Sequence, residues 1–304
     1  MLAKSLITVL LFLNPFSFLL GQPIPLTEEK VQLNKWDQSL LSSLWFANPN
    51  FLPIRDWNIT EPEVEAKAAL VFNLDKNKIL YQKNINQVLP IASLTKLMTA
   101  LIVLENIDLE EIAIISEQAI ATYGDIGGLV VKEEISVKNL LYVLLMESSN
   151  DAAAALAEIT QQKTNKNFID LMNQKAEKLR LKNTNFIDSS GYDSGNVSTV
   201  EDIAQLVEYS FSQPIIWEIM RTPVIDLFSA DGKINHHWVN TDELLNRLPN
   251  IVGGKTGYTE EAQGCLILVI ETNNKYLITI VLGAQERFLQ TERLINWVQK
   301  AYRW

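Results

Sequence analysis

Ser93 and Lys96 are the first residues whose types and spacing suggest chemistry. They open an apolar segment that runs to Leu104, and Pro90 stands just before it, a pattern that predicts a buried helix. Residues three apart share one helical face, so the hydroxyl and the amine are expected side by side. A serine becomes a strong nucleophile when a neutral lysine takes its proton, although a serine at this place can equally cap the helix.

A second polar group follows the apolar stretch 140–146. Ser148, Ser149 and Asn150 stand between that stretch and an alanine-rich segment that predicts another helix. Hydroxyl and amide groups among buried helices are costly unless they are used. The alternative is that Ser149 or Asn150 only caps the following helix.

A third group surrounds Lys255. Gly253, Gly254 and Gly257 flank Lys255 and Thr256 ahead of a late apolar strand. Glycines on a strand allow a ligand to approach the backbone closely, and the lysine supplies a fixed positive charge for a carboxylate. A plain turn is the alternative for this segment.

The elements that must position these groups are strands at both ends of the chain and helices between them. Residues 69–74 and 79–81 flank a polar turn and predict a β-hairpin, and residues 265–271 and 275–283 predict a second one. The apolar spacing over 286–303 predicts a final amphipathic helix. We therefore expect strands from both ends of the chain to meet in one antiparallel sheet.

The composition narrows the classes of function. The 304 residues are 47% hydrophobic, which indicates a globular protein, and the net charge of −10 argues against a nucleic-acid partner. Cys265 is the single cysteine and lies in an apolar run, so we expect a buried thiol and no intrachain disulfide. His236 and His237 are the two histidines, and they give little scope for a histidine-rich metal site or a Ser-His-Asp triad. No metal or organic cofactor is expected.

Residues 1–21 are typical of a signal peptide or an N-terminal membrane anchor. Lys4 precedes a mostly apolar run from Ser5 to Gly21, which is short for a membrane span and suits a secretory signal. The cleavage site is poorly defined, so both alternatives stay open, and in either case the protein is expected to work outside the cytoplasm. Residues 22–65 are predicted as a polar lead-in segment, and residues 66–304 as the folded domain.

The three polar groups occur in a recognisable order, with S-x-x-K at 93–96, S-x-N at 148–150 and K-T-G at 255–257. Together they resemble the motifs of the penicillin-recognising serine enzymes. The chain is most similar to the D-alanyl-D-alanine carboxypeptidases of peptidase family S11, the low-molecular-mass penicillin-binding proteins, over roughly residues 65–300. Further matching segments are 181–186, Ser198-Thr199 with Asp202, Asn240-Thr241 with Leu244-Leu245, and 254–259.

The resemblance carried by these motifs implies an α+β fold of the β-lactamase/transpeptidase type, with an antiparallel sheet of about five strands. Terminal helices would cover one face of the sheet and a helical subdomain the other. Residues 66–304 would then be a serine D,D-peptidase domain that removes the terminal D-alanine of peptidoglycan stem peptides. β-Lactam antibiotics would be inhibitors, and membrane association would run through the N-terminal segment.

The resemblance also implies the role of each site residue. Ser93 would be the acylated nucleophile and Lys96 its base, while Ser148 would pass a proton to the leaving amine. Asn150 would orient Lys96 and the substrate amide. Lys255 and Thr256 would bind the terminal carboxylate of the substrate, and Gly257 belongs to the same substrate-binding segment.

Two positions depart from the family pattern. Asp188-Ser189-Ser190-Gly191 stands where the family usually has Asn-Pro-His-Gly, so the chain lacks a histidine side chain at Ser190. Lys132 stands where the family tends to place a turn glycine, and we expect only a local change of the surface there.

Three other functions stay open. A D,D-endopeptidase of the same family, which cuts peptidoglycan cross-links, would carry the same motifs. A class A-like β-lactamase needs a glutamate for the deacylating water, and the nearest similar string, 242–246, lies in a segment that the resemblance assigns elsewhere. A non-catalytic peptidoglycan-binding protein would be expected to lose a catalytic residue, whereas every named position is kept.

Overall fold

A five-stranded antiparallel sheet joins the two ends of the described chain, which in this computed structural model covers residues 53–124 and 127–304. The sheet and both hairpins predicted from the sequence are confirmed. In spatial order the strands are Ile251–Thr259 (β10), Gln263–Thr272 (β11), Lys275–Ala284 (β12), Ala68–Asn73 (β2) and Lys78–Lys83 (β3).

Asparagines form the turns of both hairpins. Asn273 and Asn274 connect β11 to β12 with φ angles of 51° and 57°, and Asn77 precedes β3 with a φ of 48°. Two successive left-handed residues give a turn whose twist matches that of antiparallel strands, and asparagine tolerates this conformation better than most residues. The turn therefore sets the register of the late hairpin, in which Thr272 lies opposite Lys275.

The final helix, Arg287–Ala301 (α8), covers one face of the sheet. Its Leu294 and Val298 are fully buried in one cluster with Leu266 and Leu268 of β11. Successive side chains of a strand point to opposite faces, so the residues that alternate with these two leucines pack on the other side of the sheet.

Residues 53–65, the described part of the predicted lead-in segment, belong to the same compact unit as the sheet. Ile54–Arg55 (β1) pairs with Tyr302–Arg303 (β13), so the final helix ends two residues before the predicted 303. The chain must leave the helix there because Tyr302 and Arg303 become a strand. The predicted signal or anchor, 1–21, lies outside the described residues.

The helical subdomain covers the opposite face of the sheet, as the sequence predicts. Its central helix, Lys96–Asn106 (α1), is buried along almost its whole length and lies in one core cluster with Ile267 and Val269 of β11. The other helices are Glu117–Ile120 (α2), Val137–Met146 (α3), Asn150–Thr164 (α4), Phe168–Lys178 (α5), Val200–Ser210 (α6) and Pro214–Met220 (α7).

Short strand pairs connect segments between these helices. The pairs are Leu89–Pro90 (β4) with Val197–Ser198 (β7), Ile112–Ile114 (β5) with Glu134–Ser136 (β6), and Val224–Phe228 (β8) with Asn235–Val239 (β9).

No helix within 53–124 or 127–304 is both long and apolar enough to cross a membrane.

Candidate active site

Ser93 lies in a short 3₁₀ turn, Ala92–Thr95, directly before α1. The Leu94 N–H donates to the Ile91 carbonyl oxygen at 3.2 Å, which tightens the chain ahead of the α-helix. The predicted helix at this place is therefore confirmed, with the difference that Lys96 is the first α-helical residue. The burial of α1 makes this segment rigid, so the Ser93 and Lys96 side chains are held on a fixed support.

Two residues at or next to candidate site residues have positive backbone φ angles. Ala92, just before Ser93, has a φ of 47°, and Ser148 itself has a φ of 63°. Neither residue is a glycine, so each adopts a conformation that costs on the order of 1–3 kcal/mol and must be held by its surroundings. Such strain is concentrated where a chain must aim a side chain in a particular direction.

The Lys96 amine connects three of the segments that meet at the site. Its Nζ lies 2.8 Å from Ser93 Oγ, 2.7 Å from Asn150 Oδ1 and 2.8 Å from the Ser190 carbonyl oxygen, and the side chain is fully buried. The structure thus places the predicted nucleophile and base within hydrogen-bonding distance, and it places Asn150 where it can orient the base.

The second polar group serves both of the functions that the sequence left open. Ser149 caps α4, because its Oγ accepts a hydrogen bond from the Ala152 N–H at 2.9 Å. Asn150 is the first residue of α4. Its Oδ1 accepts a hydrogen bond from Lys96 Nζ, and its Nδ2 donates to the Tyr123 carbonyl oxygen at 2.7 Å. Ser149 therefore serves the helix, and Asn150 serves the site.

Lys255 reaches the site from the strand β10. Its Nζ donates to Ser148 Oγ at 2.8 Å and to the Thr256 carbonyl oxygen at 3.0 Å, and the side chain is buried. Thr256 Oγ1 lies 2.6 Å from Thr241 Oγ1, so a second hydroxyl fixes the first. The K-T-G segment is thus part of a strand, and a plain turn is excluded.

Gly257 allows β10 to lie against the nucleophile segment. A Cβ atom at this position would be 3.0 Å from the Ser93 backbone nitrogen and 3.2 Å from Ala92 Cβ. A side chain at this position would push the strand and the 3₁₀ turn apart. Steric crowding therefore explains why the K-T-G motif has a glycine at this position.

An open cleft of about 520 Å³ begins at Ser93 and is large enough for a short peptide. Its charged lining residues, Asp193, Glu260 and Glu261, are all acidic. The remaining lining residues are Ser93, Gly124, Asn150, Gly191, Tyr192, Ser194, Tyr258 and Thr259.

The sequence did not identify three groups that complete the site. These are the Ser190 carbonyl on Lys96, the Tyr123 carbonyl on Asn150 and the Thr241 hydroxyl on Thr256. Two of them are backbone carbonyl groups, which every residue type has, so the sequence cannot reveal them. Thr241 lies in a segment that resembles the family, and that resemblance could have identified it.

The other residues singled out in the sequence lie in structural settings. Cys265 is fully buried, and burial raises the pKa of its thiol to about 11, as expected for an unreactive cysteine. Lys132 has a φ of 67°, which explains why a glycine would suit its position. His236 contacts Glu133 at 2.7 Å, and His237 contacts Asp226 at 2.9 Å. Within 53–124 and 127–304, no cluster of three or more His, Cys, Asp or Glu side chains could hold a metal ion.

Asp242 lies behind β10 with one unsatisfied oxygen. Its Oδ1 accepts from the Leu244 N–H at 3.0 Å, whereas Oδ2 has no hydrogen-bond partner among the described residues. Burial raises the pKa of this carboxyl to about 6, against smaller lowering effects from the Leu244 N–H, Lys255 and Arg287. The charged carboxylate therefore destabilises the folded state.

We expect Asp242→Asn to become more stable relative to the wild type as the pH rises. The folded-state pKa of about 6 exceeds the ordinary value of 3.8, so the native protein binds more protons between these values and loses stability as the pH passes through them. The difference amounts to on the order of 3 kcal/mol above pH 6. Urea unfolding of both proteins from pH 4 to 7 measures it, and Asp170→Asn, at an exposed aspartate, is the control. A constant difference between Asp242→Asn and the wild type would contradict this assignment.

The comparisons with known proteins agree with this geometry. The sequence profile of peptidase family S11, described as D-alanyl-D-alanine carboxypeptidase, matches residues 56–286. The chain is 34% identical over 248 residues to a D-alanyl-D-alanine endopeptidase of Pseudomonas aeruginosa, an alignment that covers 79% of each protein. It is 33% identical to the D-alanyl-D-alanine carboxypeptidase DacF of Bacillus subtilis, over 78% of this chain and 63% of DacF.

The structural comparison extends the agreement to the fold. The Streptomyces K15 DD-transpeptidase superposes with a TM-score of 0.74 and 27% identity, over 80% of this chain and 100% of that chain. The α+β architecture predicted from the sequence is therefore confirmed. Profile, relatives and fold agree, and the chain belongs to peptidase family S11, the serine-type D-Ala-D-Ala peptidases that act on peptidoglycan.

Proposed function

We propose that this protein is a D-alanyl-D-alanine carboxypeptidase that removes the terminal D-alanine of peptidoglycan stem peptides through an acyl-enzyme on Ser93. The observation that carries the proposal is the buried Lys255 on β10, which contacts Ser148 and stands next to Thr256. A lysine and a threonine hydroxyl beside the nucleophile suit a substrate whose carboxylate lies next to the scissile bond.

The reaction begins with proton transfer from Ser93 Oγ to Lys96 Nζ, 2.8 Å away. The Ser93 oxygen then forms a bond to the carbonyl carbon of the penultimate D-alanine, and the backbone N–H of Ser93 supports the oxyanion. The C–N bond breaks, and Ser148 passes its proton to the leaving D-alanine amine and takes up the one that Lys96 received, while Lys255 stands 2.8 Å from the Ser148 oxygen. In the second step Lys96 takes a proton from water, the hydroxide forms a bond to the acyl carbon, and the Ser93 oxygen leaves with the proton from Lys96. The reaction needs no metal or organic cofactor.

A D,D-endopeptidase is the second candidate, because relatives of that activity are as similar to this chain as the carboxypeptidases are. The endopeptidases of Pseudomonas aeruginosa and Escherichia coli are 34% and 33% identical to it, and DacF is 33% identical. Both reactions would use the same acyl-enzyme, so the two candidates differ in the leaving group that the cleft accepts.

We expect the purified protein to release free D-alanine from a pentapeptide stem faster than it cuts cross-linked dimers. Replacing the terminal carboxylate of the pentapeptide with an amide removes a charge-assisted contact worth about 1.5–3 kcal/mol, so the rate should fall by roughly ten- to a hundredfold. Mass spectrometry of the products from both substrates at equal concentration measures this. If the dimers are cut faster than the pentapeptide, the protein is an endopeptidase.

The other two alternatives have less support. A class A-like β-lactamase would need a glutamate aimed at the acyl-enzyme, but Glu243 is exposed and forms an ion pair with Arg247. A non-catalytic peptidoglycan-binding protein would not need the 2.8 Å contact between Lys96 and Ser93. Inhibition by β-lactams through acylation of Ser93 is part of the proposal.

The family acts on the cell wall, and we propose that this protein is exported and held or released at its N-terminus. The apolar run from Ser5 to Gly21 supports export. We expect the mature protein in the extracytoplasmic or membrane fraction, and N-terminal sequencing decides between the two fates. A soluble product that begins near Gln22 excludes the anchor, and full-length protein in the cytoplasm contradicts export.

A further inference from the structure

Asp188 organises the loop that departs from the family pattern. Its half-buried carboxylate accepts five hydrogen bonds from within eight residues of chain, more than the loop needs to close a simple turn. Oδ1 accepts from the Ser190 N–H at 2.7 Å, Ser190 Oγ at 2.9 Å and the Gly191 N–H at 2.6 Å. Oδ2 accepts from the Asp193 N–H and from Asn196 Nδ2, both at 2.8 Å.

One of these contacts determines where the Ser190 carbonyl points. A trans peptide unit is planar, and its N–H and C=O point in opposite directions. The Gly191 N–H is directed at Asp188 Oδ1, so the Ser190 carbonyl of the same peptide unit is directed away from it. That oxygen lies 2.8 Å from Lys96 Nζ. The carboxylate of Asp188 and the amine of Lys96 therefore act on the two ends of one peptide unit.

The Ser190 carbonyl in turn constrains the direction of the Lys96 lone pair. A neutral amine has two N–H bonds and one lone pair. Asn150 Oδ1 and the Ser190 carbonyl oxygen are acceptors, so each of them takes one N–H. The lone pair is then directed at the third contact, Ser93 Oγ, whose proton it must accept.

The same loop also braces the residues just before Ser93. Gly191 has a φ of 80°, and a Cβ atom there would lie 1.9 Å from the Ala92 carbonyl oxygen, so the loop backbone packs directly on the 3₁₀ turn. Asn196 is fully buried, and its carbonyl oxygen accepts from the Ile91 N–H at 3.0 Å. A displacement of the loop would therefore reach the nucleophile and the base together.

We propose that Asp188 is a positioning residue for acylation: its carboxylate fixes the Ser190–Gly191 peptide so that the Ser190 carbonyl holds the Lys96 amine against Ser93. In this chain Asp188 and Ser190 stand where the family pattern has an asparagine and a histidine. The Ser190 hydroxyl is used within the loop, where it contacts Asp188 and accepts from the Tyr192 N–H. The inference rests on the proposed roles of Ser93 and Lys96.

The test measures acylation of the full chain by a fluorescent penicillin, as a limiting rate at saturation and a half-saturating concentration. Asp188→Ala should lower the limiting rate by about ten- to a hundredfold, because a shift of the base by an ångström is enough for such a loss. The half-saturating concentration should stay within about twofold, since the binding contacts are kept. Asp188→Asn keeps an oxygen for the Ser190 and Gly191 N–H groups but turns an NH2 group toward the Asp193 N–H and Asn196 Nδ2 donors, so it should lower the melting temperature while its limiting rate per folded molecule stays within about threefold of the wild type.

Asp202→Ala is the matched control. Asp202 is a buried carboxylate that also organises a turn, since it accepts from the Asn183 N–H and Thr184 Oγ1, neither of which belongs to the Asp188 loop. Its loss should lower the melting temperature and leave the limiting rate per folded molecule unchanged. If Asp188→Ala fails to fold, Asp188→Asn and Asp202→Ala still decide the matter: a limiting rate for Asp188→Asn more than tenfold below that of Asp202→Ala overturns the proposal.

Two results separate this inference from the proposed function. If the wild type itself is not acylated, the proposed function fails. If the wild type is acylated and folded Asp188→Ala reacts at the same limiting rate, the proposed function stands and the positioning role of Asp188 is wrong.

Discussion

Ser93→Ala is expected to abolish both labelling by a fluorescent penicillin and release of D-alanine. The Ser93 oxygen forms the covalent bond in the proposed reaction, whereas the second serine of the site, Ser148, accepts a hydrogen bond from Lys255. Loss of a serine nucleophile in enzymes of this kind costs on the order of 10⁶-fold in turnover. Gel fluorescence after labelling and mass spectrometry of the intact protein measure the outcome.

The control for Ser93→Ala is a serine of purely structural use. Ser136 caps α3 by accepting a hydrogen bond from the Asn139 N–H, so Ser136→Ala should cost about 1 kcal/mol of stability and keep full labelling. A label that persists on Ser93→Ala would show that another residue is acylated, and the proposed mechanism would have to be abandoned.

Lys96→Arg is expected to be almost inactive although it keeps a long basic side chain at this position. A guanidinium group stays protonated under all conditions that proteins tolerate, so it cannot take the Ser93 proton. Its planar fork also cannot reproduce the three contacts of the amine with Ser93, Asn150 and Ser190, all within 2.8 Å. Loss of proton transfer by a positioned base costs about 10²–10⁴-fold. The limiting rate of penicillin acylation, measured in stopped flow, gives the value.

Lys175→Arg provides a matched lysine replacement elsewhere in the subdomain. Lys175 lies on α5 and pairs with Glu105 at 2.6 Å, a contact that arginine can also make. This variant should fold and acylate normally. If Lys96→Arg acylates at a near-normal rate, the base lies elsewhere, and Ser148 becomes the next candidate.

The acidic lining of the cleft bears on the choice of substrate. Asp193, Glu260 and Glu261 line the cleft that begins at Ser93, whereas Lys255 and Thr256 lie on β10 just before Gly257. A substrate that occupies this cleft next to Ser93 would lie beside these acidic groups. The motifs are the same in carboxypeptidases and endopeptidases, so they do not show which leaving group this cleft accepts. The comparison of pentapeptide with cross-linked dimer tests that property.

Much of the fold was determined by local sequence. The two hairpins follow from apolar runs on either side of asparagine-containing turns, and the register of a hairpin is set by its turn. The buried helix α1 follows from its apolar run, because a helix that is apolar on every side must lie inside the protein. The pairing of residues 54–55 with 302–303 had no such signal, since strands of two residues have no periodicity to detect.

The sequence also predicted which residues form the candidate site, and only the tertiary structure determined its geometry. Ser93 and Lys96 are neighbours by helical spacing alone, whereas Asn150 and Ser190 reach Lys96 across sequence separations of 54 and 94 residues. A one-dimensional pattern carries residue types, but backbone carbonyls look alike at every position. Their direction depends on how peptide units are held by distant packing, as Asp188 holds the unit that faces Lys96.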